Sequence, residues 1–134
     1  DGDLFQGVLP RTVAFADGRS LDGMPYPDIA QSIVEVDTAN WAEPWEVLSK
    51  RIYDGFEAMA QEIEAQGGGN AIVVSHGMTI GTFMWLIDNT QEKQRIENGS
   101  ISVVTYKDGK FKIETVADLS YREKGREIID ANEK

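Results

Sequence analysis

The sequence predicts an α/β protein, and three stretches carry that expectation. Ala71–Val74 is a short apolar run of the kind that forms a buried strand, and a helical apolar pattern follows it at once. Upstream, Trp45–Gln66 repeats its apolar residues at helical spacing. Downstream, Ser100–Tyr106 and Phe111–Val116 are β-rich runs joined by Lys107-Asp108-Gly109-Lys110. Asp-Gly between such runs is a strong hairpin signal.

Residues 1–43 form a loop-rich, lid-like segment, because Gly2, Gly7, Pro10, Gly18, Gly23, Pro25 and Pro27 interrupt any periodicity. Two short helices are expected inside it. One involves Leu4, Phe5, Val8 and Leu9; the other spans Asp28–Val36, where Pro27 suits a first helical position. Residues 44–116 form a helix–strand–helix–hairpin core. In its first helix, Leu48, Ile52, Phe56, Met59 and Ile63 make one apolar stripe, and Glu46, Lys50, Asp54, Glu57 and Glu62 fall largely off it. Pro44 stands at the entry, and Gly67–Gly69 ends the helix. Arg51 reads as a solvated helix arginine worth watching.

The triple glycine precedes the apolar run, whereas a phosphate-cradling loop follows its strand and carries Gly-Lys-Ser/Thr. Gly67–Gly69 is therefore a turn. Thr79–Ile87 is apolar on almost every side, which predicts a buried helix with Trp85 in the core. Asp88, Asn89 and Thr90 end it, Gln91–Glu97 is a polar connection, and Asn98-Gly99 suggests a turn at the sheet's edge. Residues 117–134 form a polar tail, either a short terminal helix or a frayed end.

A length of 134 residues accommodates one domain, and 41% apolar residues suffice for a core. The net charge of −10 argues against a nucleic-acid or membrane-surface binder, which needs a basic face. It leaves room for a small basic pocket and a phosphorylated substrate. The lack of cysteine removes disulfides and thiolate metal sites. No apolar run approaches the roughly 20 residues of a membrane span, and no secretory signal opens the chain. A cytoplasmic protein is expected. Because residue 1 is Asp, the chain is expected to be a processed product or part of something longer.

The chemistry centres on the only histidine, His76, where a strand's carboxyl end meets a helix's amino end. Open α/β sheets bind ligands at such places, and free first-turn amides favour an anion. Gly77 leaves the backbone open to a ligand. One histidine without cysteine makes a zinc site improbable, and no clustered acidic motif points to a carboxylate-held Mg²⁺. Val73-Val74-Ser75-His76-Gly77 is a defective nucleophile elbow, with valine at the first glycine position and no histidine downstream. Gly77 and Gly81 do not make a dinucleotide fingerprint. A phosphoryl-binding histidine and a structural one both fit the residues alone.

Val73-Val74-Ser75-His76-Gly77, the apolar helix after it, and Asn98-Gly99-Ser100-Ile101 opening a hairpin resemble the C-terminal half of the histidine phosphatase superfamily, in its phosphoglycerate-mutase-like branch. The order of elements matches from about Trp45 to Val116. The resemblance implies part of a three-layer α/β/α sandwich and a metal-free, cofactor-free phosphoryl transfer. In the family, a histidine within Arg-His-Gly attacks phosphorus and becomes a phosphohistidine. A second histidine, matched by His76, donates hydrogen bonds to the phosphoryl oxygens. Gly77 and Met78 would add amides. Two arginines clamp the phosphate, and an acid protonates the leaving oxygen.

No arginine here precedes a histidine, so the nucleophile and its central strand are expected to be missing, with the acid missing too. The resemblance then implies a phosphatase in the full-length parent, preferred over a mutase because residues 1–43 carry no recognisable mutase residues. The rival is a non-catalytic remnant. The chain alone is expected to be inactive, with no direct pairing between Ile72–Val74 and Ser102–Val104. A phosphorylated small molecule is the expected substrate. A complementary N-terminal half, or a second copy, is the expected partner.

Overall fold

A computed structural model describes residues 23–133. The chain divides into two compact units, Asp1–Gln61 and Glu62–Lys134. The helix expected around Leu4–Leu9 lies outside the described residues.

In the first unit, α1 spans Tyr26–Val36, two residues earlier than the Asp28 start that the sequence suggests. Pro25 is its N-cap, and Pro27 occupies the first turn, where a missing N–H costs nothing. Tyr26, Ile29 and Ala30 are buried at helical spacing on one face. Burial pushes the Tyr26 phenol above its ordinary pKa. Asp37 caps the end of α1 and organises the turn after it. One carboxylate oxygen accepts the Ala39 amide at 2.9 Å, and the other accepts those of Trp41 and Ala42, both at 2.6 Å. These bonds, led by Ala42, hold the carboxyl below its ordinary value despite burial. The loop's stability is therefore complete above the usual carboxylate range and is lost as pH falls through the lowered value.

Helix α2, Trp45–Ala65, is the expected amphipathic helix and runs across the division between the units. Only Ile52 of its stripe is fully buried; Leu48, Phe56 and Ile63 are half-buried and Met59 is exposed. Arg51 makes a two-pronged ion pair with Glu43, at 2.9 and 3.1 Å from Nε and 2.7 Å from Nη2. The arginine worth watching is thus tied to a residue two positions before the helix.

The second unit begins with the end of α2. The Gly68 amide reaches the Ile63 carbonyl at 2.9 Å and the Gly67 amide reaches Glu64 at 3.1 Å, which is the Schellman arrangement. Gly67 takes φ +101°, a conformation that a side chain would strain. The triple glycine is the helix-ending turn that its position implies.

Ala71–Val74 is the main correction. No β-pairing is formed there; residues 68–76 lie outside regular structure, and Ile72 and Val74 are 95% and 92% exposed. A strand needs a hydrogen-bonded neighbour, and the sheet among the described residues contains two strands, neither paired with this stretch. The expected lack of pairing between Ile72–Val74 and Ser102–Val104 agrees with that.

Helix α3, Gly77–Ile87, starts where the apolar run stops. Gly81, Thr82 and Phe83 are buried, and its other apolar side chains, Trp85 included, are half-buried. Burial is thus less complete than an all-apolar helix suggests. The Thr82 hydroxyl is enclosed without a hydrogen-bond partner among the described residues. At the other end, the Asp88 carboxylate accepts from the Thr90 amide at 2.9 Å and from the Thr90 hydroxyl at 2.6 Å.

Strands β1, Ile101–Lys107, and β2, Lys110–Asp118, form the predicted antiparallel hairpin. Asp108 and Gly109 both have positive φ, as a type I′ turn requires. Register is regular from Lys107↔Lys110 to Val104↔Ile113, then slips twice by one extra residue on β2, at Val103↔Thr115 and Ile101↔Asp118. Ala117 lies at the second slip with φ +53°, and its amide donates to the Ser102 hydroxyl at 3.0 Å. The half-buried face carries Val104, Tyr106, Phe111 and Ile113. Phe83 of α3 meets Phe111 edge-to-face at 5.0 Å, and Phe111 leans on Tyr106 at 4.7 Å. The polar tail resolves into α4, Ser120–Asn132, which buries no residue.

Candidate functional site

Helix α3 begins immediately after the chain's histidine. His76 is its N-cap, with extended backbone (φ −107°, ψ 157°), and its carbonyl accepts the Ile80 amide at 2.9 Å. This is the strand-end conformation that the sequence implies at the junction, reached without a strand. The imidazole makes no capping hydrogen bond to the helix. The first-turn amides of Gly77, Met78 and Thr79 precede the first intrahelical donor and therefore face outward at the positive end of the dipole. His76 and Gly77 are exposed and Met78 is half-buried. The three sequence-expected residues are thus consecutive at one accessible helix terminus. Donors gathered there suit an anion with several oxygens, and an imidazole next to them can add a further donor.

The Ile96 backbone lies beside Gly77. A methyl group built on it would sit 3.4 Å from the Ile96 carbonyl oxygen and 3.8 Å from the Ile96 Cβ. The connection after α3 therefore returns against the first turn, which sequence periodicity does not reveal. A tight turn follows, with the Ser100 amide on the Glu97 carbonyl at 3.1 Å and Gly99 at φ +78°, the type II pattern. Arg122 of α4 lies across that turn. Its Nη1 donates to the Asn98 carbonyl at 3.0 Å, and its stem covers Gly99. The Asn98-Gly99 pair signals the turn in sequence, but nothing in sequence links it to Arg122.

Among the described residues, no group of three or more His, Cys, Asp or Glu side chains is placed to hold a metal ion. No helix there is long and apolar enough to cross a membrane.

An extended run thus leads into an exposed histidine N-cap, an apolar helix follows, and an Asn-Gly turn opens the hairpin. The chain belongs to the histidine phosphatase superfamily (branch 1), whose family model matches residues 18–119. Among solved structures it is similar to phosphoglycerate mutase from Bacillus anthracis strain Sterne. The two share 34% sequence identity at a TM-score of 0.76, over 85% of this chain and 52% of that one. The chain thus spans about half the length of that mutase. No curated protein matches it. The resemblance drawn from Ser75-His76-Gly77 and Asn98-Gly99 and the α/β fold class both agree with these findings, and the family is one of phosphatases and mutases.

Proposed function

We propose that this chain supplies the second, phosphate-stabilising histidine of a histidine phosphatase, acting on phosphorylated small molecules through a phosphohistidine in a protein that also carries an Arg-His-Gly half. The supporting observation is the exposed N-cap position of the chain's single histidine beside uncapped first-turn amides, within a family match that spans it. In the proposed reaction, the partner histidine's nitrogen forms a bond to phosphorus as the ester P–O bond breaks. An acid outside this chain's assigned residues protonates the leaving oxygen. Water then attacks the phosphohistidine, releasing phosphate and restoring the imidazole. His76 donates a hydrogen bond to the equatorial oxygens as their charge redistributes, and the amides of Gly77 and Met78 add fixed dipoles. Protein side chains and backbone suffice for these steps as written.

The mutase reading has one observation in its favour, the name of the similar solved structure. A mutase would use the same phosphohistidine but return the phosphoryl group to a second hydroxyl of the substrate. The proposed setting is cytoplasmic, and the proposed partner is a complementary half or a second copy.

The test is a titration of a protein carrying both halves with inorganic phosphate, following the His76 ring and the Gly77 and Met78 amide resonances. Shifts that saturate at phosphate concentrations of about 1 mM or a few times higher, the upper range of enzyme KM values, support the reading. Unmoved resonances overturn it. The chain alone is expected to turn over no phosphomonoester, and turnover by it would show that the nucleophile is misassigned.

A further inference from the structure

A run of neighbouring residues leads from the first turn of α3 to a residue 45 positions further along the chain. Gly77 packs under the Ile96 carbonyl, with 3.4 Å between that oxygen and a methyl built on Gly77. Ile96 leads directly into the turn closed by the Ser100 amide on Glu97. On that turn, a methyl built on Gly99 would sit 3.2 Å from Arg122 Cδ and 3.5 Å from Cγ, so the arginine stem lies flat against the backbone. The guanidinium then closes on the Asn98 carbonyl at 3.0 Å and is itself oriented by Glu123 Oε1, at 3.2 Å from Nε and 3.1 Å from Nη2. Arg122 is half-buried in a helix that buries no residue fully. All of these residues belong to the second unit.

We propose that Arg122 is a positioning residue for the phosphate site. From α4 it fixes the 97–100 turn, the turn holds Ile96 against Gly77, and Gly77 keeps the amides of the first turn of α3 in register with His76. The inference rests on the reading of that turn as the phosphate site. A clamp of this kind works through packing and one charge-assisted hydrogen bond, because a planar fork with a long apolar stem can do both at once. At Gly99 the contact depends on the absence of a side chain, and the positive φ adds a second requirement.

The test compares the chain with its Arg122→Ala, Arg122→Lys and Lys124→Ala variants in phosphate-free buffer, followed by titration with inorganic phosphate. Lys124 is an exposed cation on the same helix, so its removal reports the effect of charge alone. Arg122→Ala is expected to shift the Gly77 and Met78 amide resonances before any phosphate is added, while Val104 and Ile113 in the hairpin stay put. Phosphate binding should weaken by about threefold to thirtyfold, the range of couplings carried by packed networks. Arg122→Lys keeps the stem and one donor and should restore both readouts. Lys124→Ala should change neither.

Unchanged Gly77 and Met78 resonances in Arg122→Ala would overturn the proposal, as would an equal loss of phosphate binding in Lys124→Ala. If α4 detaches altogether in Arg122→Ala, Gly77→Val gives the reciprocal reading. A Cβ alone reaches only ordinary contact with the Ile96 carbonyl, at 3.4 Å, so the branched methyls beyond it are what press on Ile96; the Gly99 amide and the Arg122 Nε resonance should move, and if they stay, the link is absent. If the wild-type chain alone ignores phosphate, the Gly77 and Met78 shifts in phosphate-free buffer decide the clamp, and the site assignment is decided separately on a protein carrying both halves.

Discussion

The hairpin β1–β2 and the stretch Ala71–Ser75 are both rich in β-branched residues, yet only the hairpin is paired. Their difference is one of neighbours. The hairpin brings its own partner through the Asp108-Gly109 turn, so its backbone groups are satisfied within eighteen consecutive residues, Ile101–Asp118. Ala71–Ser75 has no strand beside it among the described residues, and its apolar side chains face solvent. The hairpin shows local encoding of structure. The stretch before His76 has a strand's composition and an extended end, without the ladder. The two regions should therefore respond in opposite ways to substitution: the hairpin in stability, the His76 region in chemistry.

The largest expected effect falls on chemistry. In a protein that carries both histidines, His76→Ala should lower kcat by about 10²–10³-fold, the typical loss of a donor that strengthens in the transition state. KM should move far less, because uniform binding is not what is removed. Thermal unfolding should scarcely change, since His76 is exposed and caps nothing with its ring. Steady-state kinetics beside a melting curve checks both halves. Near-normal turnover would make His76 structural and remove the contrast.

The next effect falls on the hairpin. Phe111 is half-buried and touches both Phe83 and Tyr106. Phe111→Ala should destabilise the chain by about 2 kcal/mol, less than a fully buried phenylalanine because part of the ring already meets water. Denaturant unfolding measures it. Ala117→Gly should act in the other direction. Ala117 sits at φ +53° in the bulge, a conformation costing roughly 1 kcal/mol with a Cβ. The glycine should recover most of that, and the Ser102 hydroxyl still accepts its amide. A neutral or destabilising result would mean that the bulge relaxes in solution.

How much of this was legible in sequence follows the same line. The Asp-Gly turn, the stripe of α2, the Gly67–Gly69 stop and the start of α3 after His76 are local signals, and each places an element within about two residues of where it lies. The strand expected at Ala71–Val74 is absent because residue propensity says nothing of partners; the family resemblance implied only its lack of pairing with Ser102–Val104. The two register slips and the Arg122 clamp were not legible. A bulge depends on how β2 twists against its neighbour, and the clamp joins residues that share no periodicity. Within the candidate site, His76, Gly77 and Met78 follow from the switch of pattern, whereas Ile96 depends on a return of the chain that arises only in the fold.

The smallest expected effect is the sharpest test of the comparison. Ile72 and Val74 are almost wholly exposed, so neither side chain has transfer free energy to lose. In this chain, Ile72→Thr and Val74→Thr should each change stability by no more than about 0.5 kcal/mol, as at an ordinary surface position. Threonine keeps the β-branch, so extended backbone is preserved and only apolar area is removed. The same substitution at Val104, half-buried and paired with Ile113, should cost measurably more in the same denaturant assay. If a partner strand covers Ile72–Val74, whether a second copy or a complementary half, the two threonine variants should become costly in the assembly while staying neutral in the isolated chain. Sedimentation of the wild-type chain over a concentration series, run beside the unfolding curves, separates those cases. A large loss from Ile72→Thr in a strictly monomeric chain would mean that the stretch is buried in solution, and the contrast with the hairpin would fail.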